Sequence, residues 1–353
     1  MAYTVRLEPV GIEMEVDEGE SVLKAAFRQG IMLMHGCKEG QCASCKSILL
    51  DGDIDLLQHS TFALPDYEQE QNYILLCRTI PYSDVSIELL NYDEEILKFA
   101  IPVKEYAATV TGIETLTHDM RLLRVHLTDP QGLRFFAGQY VDLSLPEFGV
   151  SRSYSMANTP SSSQDLEFII KVYPGGAFSQ ALNERIKPGD PIKVTGPYGI
   201  CCRRDNDSLV ILAGGGSGMA PLLSIFYDLL ENHIDRPVRF FYGARTPDDL
   251  FYVDRILEAG KTLRDFQFVP ALSHLPDGQL WDGDRGFIHE VVNRHLERTQ
   301  DAAADAYVCG PPPLIDAIVP ILRMKGLDAD RIYFDKFYQA SPLLSPINQR
   351  SDQ

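Results

Sequence analysis

Residues 35–46 read HGCKEGQCASCK, and LLCRT follows at 75–79. Together they set Cys37, Cys42, Cys45 and Cys77 in the pattern C-x4-C-x2-C, with the fourth cysteine after 31 intervening residues. This is the ligand spacing of a plant-type 2Fe-2S cluster. Gly36, Gly40, Ala43 and Ser44 are small enough for backbone N–H groups to approach the sulfurs without Cβ clashes, and such donors stabilise the electron added on reduction. The competing reading is a four-thiolate zinc site, but those are generally built from two C-x2-C knuckles, and only one close pair occurs here. Four of the seven cysteines lie in this region, which favours metal ligation over a disulfide framework.

Working outward, residues 4–16 alternate as a strand pair turning near Gly11, and ESVLKAAFRQG (20–30) has the apolar spacing of a helix ending at Gly30. The stretch NYDEEILKFAIPVKEY (91–106) mixes acidic and apolar residues, and Pro102 predicts an extended linker. A first boundary is therefore expected near residue 98. From about 105 to 205, short alternating runs such as MRLLRVHL, QYVDLSL and LEFIIKVY sit between Gly and Pro turns, which suggests an antiparallel barrel. After SLVILAGGGSG (208–218), apolar strands alternate with helices as in an α/β nucleotide domain. The expected fold is multi-domain α+β and α/β: a β-grasp-like module over 1–97, an antiparallel β-barrel over 98–205, an α/β domain over 206–340 and a loose tail over 341–353.

Composition narrows the function. The formal charge of −18 opposes nucleic-acid binding, which needs clustered Lys and Arg. No apolar run approaches the roughly 20 residues of a membrane helix, and MAYTVRLEP has no signal-peptide pattern, so a cytoplasmic location is expected. Residues 1–97 hold 18 acidic against 6 basic side chains, so this first quarter carries −12. That acidity serves either solubility or the docking of a partner.

Two further segments carry chemistry. Arg152-Ser153-Tyr154-Ser155 ends a barrel-like run, and PGGAFSQAL (174–182) places Gly175 and Gly176 before a predicted helix whose free N–H groups suit a diphosphate; TGPYG follows at 195–199. A guanidinium at Arg152 also suits a phosphate. In LVILAGGGSGMAPLLSIF (209–226), a strand, a glycine turn and a helix with Pro221 in its first turn form a dinucleotide-type element. Gly214, Gly216 and Gly218 give G-x-G-x-G and depart from G-x-G-x-x-G, and no acidic residue ends the next strand, where PVRFFYGAR carries Tyr242 and Arg245. A glycine packing turn is the plain alternative.

The cysteine segments resemble the ferredoxin part of bacterial multicomponent monooxygenase reductases of the phenol hydroxylase and propane or tetrahydrofuran monooxygenase type, and the likeness extends over nearly the whole chain. The remaining motifs are similar to the ferredoxin–NADP reductase superfamily. This resemblance implies that Arg152 binds the FAD phosphate, that Tyr154 and Ser155 contact the flavin, and that Lys171, Gly175, Gly176, Phe178 and Ser179 complete the FAD site. It likewise assigns NADH to Gly214, Gly216, Ser217, Gly218, Arg245 and Gly310, with Cys309 of CGPPP (309–313) beside the nicotinamide. In YFDKFY (333–338) it assigns Phe337 to the flavin face and Asp335 to the nicotinamide–flavin neighbourhood, with Phe334 and Tyr338 as alternative registers. Cys201 and Cys202 receive no role. Asp248 and Asp249 resemble the NADH-using branch because a 2′-phosphate requires positive charge there. The implied order of transfer is NADH, FAD, 2Fe-2S cluster and then the hydroxylase (oxygenase) component. The same motifs suit a reductase for a Rieske-type aromatic-ring dioxygenase, and a colourless zinc-binding interaction protein would use the four cysteines alone.

Overall fold

The computed structural model describes residues 2–99, 101–128, 132–296 and 303–337; the expected tail at 341–353 and Tyr338 lie outside them. In the first module, β1 (Ala2–Glu8) pairs antiparallel with β2 (Ile12–Asp17) around Gly11, whose φ of 65° is the reason the turn uses glycine. Val5, Leu7, Met14 and Val16 alternate inward and are fully buried, as period-two strands require. Helix α1 (Val22–Arg28) is capped by Ser21, whose hydroxyl accepts from Lys24 N, and it buries Val22, Leu23, Ala25, Ala26 and Phe27 against the sheet. The chain continues through β3 (Lys46–Asp51), β4 (Ile54–Leu56), α2 (Asp66–Gln69), β5 (Tyr73–Leu75), β6 (Thr79–Pro81) and β7 (Val85–Leu89). The main sheet has the order β2-β1-β7-β3-β5, with β1 and β7 parallel.

The expected extended linker is only partly extended. Helix α3 (Glu94–Phe99) occupies its first half, because the Asp93 carboxylate accepts from the N–H groups of Glu95 and Ile96 and nucleates a turn there. Beyond it, Val103 N donates to Phe27 O, which ties the connection back onto α1.

The middle module comprises β8 (Lys104–Thr115), β9 (Met120–Leu127), β10 (Tyr140–Leu145), β11 (Val150–Ser155), β12 (Asp165–Lys171), α4 (Ala177–Glu184) and β13 (Pro191–Tyr198). Its six strands run antiparallel in the order β11-β10-β13-β8-β9-β12, and a bridge between Met156 and Phe168 brings the two edges together. Leu123, Val125, Val141, Leu143, Phe168 and Val194 fill the interior.

The third module alternates β14 (Leu209–Gly215), α5 (Met219–Glu231), β15 (Val238–Ala244), α6 (Val253–Gly260), β16 (Phe266–Leu272), β17 (Asp284–Arg285), α7 (Ile288–His295), β18 (Ala304–Gly310), α8 (Pro312–Met324) and β19 (Ile332–Lys336). All six strands are parallel, in the order β17-β16-β15-β14-β18-β19. The order reverses beside β14, so the carboxyl ends of β14 and β18 flank the crevice where such sheets bind ligands. The modules are not separately packed: Tyr140, Tyr198 and Cys202 of the barrel side belong to the apolar core of the first module.

Candidate functional site

The loop between α1 and β3 gathers the first three cysteines, and the strand end after β5 brings Cys77 to them. Cys37 Sγ accepts from Gln41 N at 3.1 Å and Glu39 N at 3.4 Å, Cys42 Sγ accepts from Cys37 N at 3.2 Å, and the sulfurs of Cys45 and Cys77 are 3.4 Å apart. Positive φ values at Lys38, Gly40 and Ala43 turn these N–H groups inward. A Cβ at Gly36 would stand 3.0 Å from Cys42 Sγ, so the small residue there keeps the cradle open. The thiols interact in pairs. Hydrogen bonding with Cys37 brings Cys42 down to about 5 and pushes Cys37 up, and the bond between Cys45 and Cys77 lowers the first and raises the second. Thiolate is the metal-binding form. Four convergent sulfurs inside a ring of backbone donors fit an iron–sulfur cluster.

Strand β11 carries the Arg-Ser-Tyr-Ser segment in register with β10, Ser153 facing Asp142 and Ser155 facing Tyr140. Alternation puts Arg152 and Tyr154 on one side of the strand and Ser153 and Ser155 on the other. Arg152 is exposed, Ser155 is buried, and burial raises the Tyr154 hydroxyl above its usual range. The turn at Gly175 (φ 77°) and Gly176 leads into α4, which has no side-chain cap, so its first N–H groups suit an anion. The side chains of Phe178 and Ser179 in this first turn pack within the protein: Phe178 lies 5.0 Å from the Tyr154 ring, and the Ser179 hydroxyl accepts from Tyr173 N and donates to Gly176 O. Lys171 is paired with Asp119 at 3.1 Å.

At the carboxyl end of β14, Gly214 and Gly218 press against the Cys309 carbonyl, where an added Cβ would come within 2.7 and 2.2 Å, and Gly216 has φ 57°. Ser217 lies in the same turn, and α5 begins without a side-chain cap. A glycine cradle at an uncapped helix start fits the phosphates of a dinucleotide. Cys309 is fully buried, its sulfur 3.7 Å from that of Cys201, and it pairs in register with Asp335. Gly310 O accepts from Phe337 N at 2.9 Å, which holds the half-buried Phe337 beside the end of β18, while Phe334 is exposed. Burial lifts the Asp335 carboxyl to about 6 even though Lys38 opposes the shift. Arg245 and Asp248 are exposed, whereas Asp249 is taken up by the Thr246 N–H and hydroxyl, both at 2.8 Å.

Sequence reading missed the group that joins these parts. The Lys38 ammonium, next to Cys37, donates to both Asp142 oxygens at 2.8 and 2.7 Å and lies 3.8 Å from the centre of the Tyr198 ring. The His35 ring is enclosed by Phe27, Tyr140 and Tyr198, and burial lowers its pKa to about 4. The available signals were a lysine between two of the four cysteines and an aspartate inside a barrel strand, and neither residue type reveals a partner 104 positions away.

Comparison with known proteins finds three family matches along the chain. Residues 5–82 match the 2Fe-2S iron-sulfur cluster binding domain, residues 107–201 the oxidoreductase FAD-binding domain and residues 212–319 the oxidoreductase NAD-binding domain. The chain is 46% identical to the reductase component of propane 2-monooxygenase from Mycolicibacterium smegmatis, over 95% of this chain and 97% of that protein. It is 36% identical to the reductase component of phenol 2-monooxygenase from Pseudomonas sp. strain CF600, over 97% and 96%. Among solved structures, an Amycolatopsis cytochrome P450 reductase superposes with a TM-score of 0.86 at 29% identity, covering 96% of this chain and all of that one. The ferredoxin reductase in carbazole 1,9a-dioxygenase gives 0.78 at 31% identity, covering 96% and 99%. This chain belongs to the monooxygenase reductase components, electron-transfer oxidoreductases built of 2Fe-2S, FAD-binding and NAD-binding domains.

Proposed function

We propose that this chain oxidises NADH and delivers single electrons to the hydroxylase component of a propane- or phenol-type monooxygenase. The observation that carries this reading is the contact of the cysteine loop with the flavin-motif strands, through Lys38 and the Asp142 that faces Ser153. When bound, FAD and the cluster supply the conversion of a two-electron hydride donor into one-electron steps. The protein's part is to bind and to align. Arg152 and the Gly175–Gly176 turn hold the flavin diphosphate, Tyr154 and Ser155 border the flavin, and Gly214 to Gly218 hold the dinucleotide. Cys37, Cys42, Cys45 and Cys77 ligate iron. Asp335, Cys309 and Phe337 border the place where the two rings meet, and Phe337 shields it from water. No side chain is required as a general base. The domain limits that accompany this reading are 1–97, 98–205 and 206–340.

NADH is the coenzyme in this reading because Asp248, exposed in the segment after β15, would repel a 2′-phosphate bound there; Asp249 contributes less, since its carboxylate is taken up by Thr246. The test is reconstitution. Purified protein should contain about one FAD and one 2Fe-2S cluster per chain, should prefer NADH to NADPH in kcat/KM, and should drive a di-iron hydroxylase. Zinc in place of iron, or turnover only with a Rieske oxygenase, overturns the reading. Asp248→Lys should narrow the NADH preference about tenfold, the size of one added charge contact near a surface.

A further inference from the structure

We propose that Lys38 is a positioning residue for electron transfer, pinning the cysteine loop to the flavin-motif strand pair. The inference rests on the reading above, in which electrons pass from the FAD domain to the cluster. The backbone at Lys38 has φ 58°, a left-handed conformation strained for a residue with a side chain, and the same turn aims the N–H groups of Glu39 and Gln41 at Cys37 Sγ. The shape of the ligand loop and the direction of the Lys38 side chain are therefore set together.

The far end of that side chain is held from several directions. Both Asp142 oxygens accept from it, and the pair is sheltered, with 19% and 24% of the two side chains exposed. Tyr198 and Tyr140 present ring faces at 3.8 and 5.1 Å, which hold a partly desolvated cation in place. Asp142 is itself fixed, because Ser153 Oγ donates to it at 2.6 Å. The result is a short bonded route from Cys37 through Lys38, Asp142 and Ser153 to Arg152 and Tyr154 on the same strand. A surface ion pair contributes little to holding a geometry, but one locked between two aromatic faces and a hydroxyl fixes both ends.

Structural support at this junction does not depend on Lys38 alone. Arg204 donates to Asp93 at 2.6 Å, and the Phe27–Tyr198 ring contact spans the same boundary. Removing the ammonium should consequently loosen the loop without separating the modules. Electron tunnelling weakens with the distance between flavin and cluster, whereas hydride transfer to the flavin does not pass through the cysteine loop, so the step from flavin to cluster should be the one affected.

The experiment uses the FAD- and cluster-loaded protein with Lys38→Met and, separately, Asp142→Asn, which leaves the ligand loop untouched. Stopped-flow mixing with NADH follows flavin bleaching and cluster reduction as separate signals, and hydrogen exchange follows amides in 37–45 and 150–155. Both variants should bleach flavin at the wild-type rate, slow cluster reduction severalfold and raise exchange in both segments. The paired Lys38→Asp/Asp142→Lys variant should recover part of the rate and of the protection. Cluster reduction that keeps pace with wild type in Asp142→Asn overturns the role of Lys38, as does unchanged exchange in both segments. Wild-type protein that bleaches its flavin without reducing its cluster overturns instead the proposed order of transfer.

Discussion

Asp335 sits at the end of β19, beside Cys309 in register, and burial raises its carboxyl to about 6. Between its ordinary range near 4 and this raised value the folded protein binds the proton more tightly than the unfolded chain does. Stability contributed by the protonated form is thus present at low pH and lost as pH rises through about 4 to 6. Asp335→Asn should remove that decline, so the melting-temperature difference between variant and wild type should grow from pH 4 to pH 7; a difference constant with pH would show an ordinarily solvated carboxyl. The YFDKFY segment singled out Asp335 and Phe337 only through resemblance, and the proton affinity of Asp335 could not be read from it at all. Desolvation depends on which other segments cover a group.

At the scale of elements, the glycine turn between β14 and α5 and the base of β18 carry separable tasks. Gly218→Ala would set a Cβ 2.2 Å from the Cys309 carbonyl, a backbone atom with little freedom to retreat. Overpacking of this kind costs about 1–3 kcal/mol, and it should appear as a lower melting temperature together with reduced kcat/KM for NADH. The cluster spectrum should be retained. The opposite end of β18 is fixed by Asp305, fully buried, which accepts from Arg236 at 2.7 Å, Arg331 at 2.7 Å and Asn206 at 2.8 Å. Asp305→Ala leaves the buried Arg236 without its carboxylate and should cost about 3–5 kcal/mol in urea unfolding, while NADH-to-ferricyanide turnover of the still-folded fraction stays near normal. The strands and the glycine turn could be read from sequence because their periodicity and glycine pattern are local. The Asp305 network could not, since its members lie at 206, 236, 305 and 331. The first half of the expected linker was misread because Asp93 caps a helix there.

For the whole molecule, the acidic first module also carries the cysteine loop, and we propose that this acidity serves the docking of the hydroxylase. Glu39 in the cysteine loop and Asp66 and Glu70 at α2 are exposed, whereas Glu68 forms an ion pair with Lys46. If the hydroxylase docks here, electron delivery to it should slow as ionic strength rises beyond about 0.1 M, where the Debye length falls below about 10 Å. NADH-to-ferricyanide turnover, which needs no protein partner, should change far less. Charge reversal at Glu39 or Glu70 should raise the apparent KM for the hydroxylase severalfold, and Glu68→Lys should act mainly by disturbing its own ion pair. Partner turnover indifferent to salt and to all three reversals would assign the acidity to solubility. Phe62 is exposed on the segment whose Ser60 N donates to Gly40 O of the cysteine loop, which puts apolar surface near that loop.

By itself the sequence determined the four-cysteine pattern, the three-part organisation and the glycine turn, because each is written in a short local pattern of spacing, alternation or missing side chains. Only the tertiary structure decided which residues link the parts. It selected Lys38 to meet Asp142, turned Phe178 and Ser179 into protein, and withdrew Asp249 into a cap. Those outcomes depend on charge pairing, desolvation and packing between segments far apart in the chain, and local sequence patterns carry no information about which distant groups will meet.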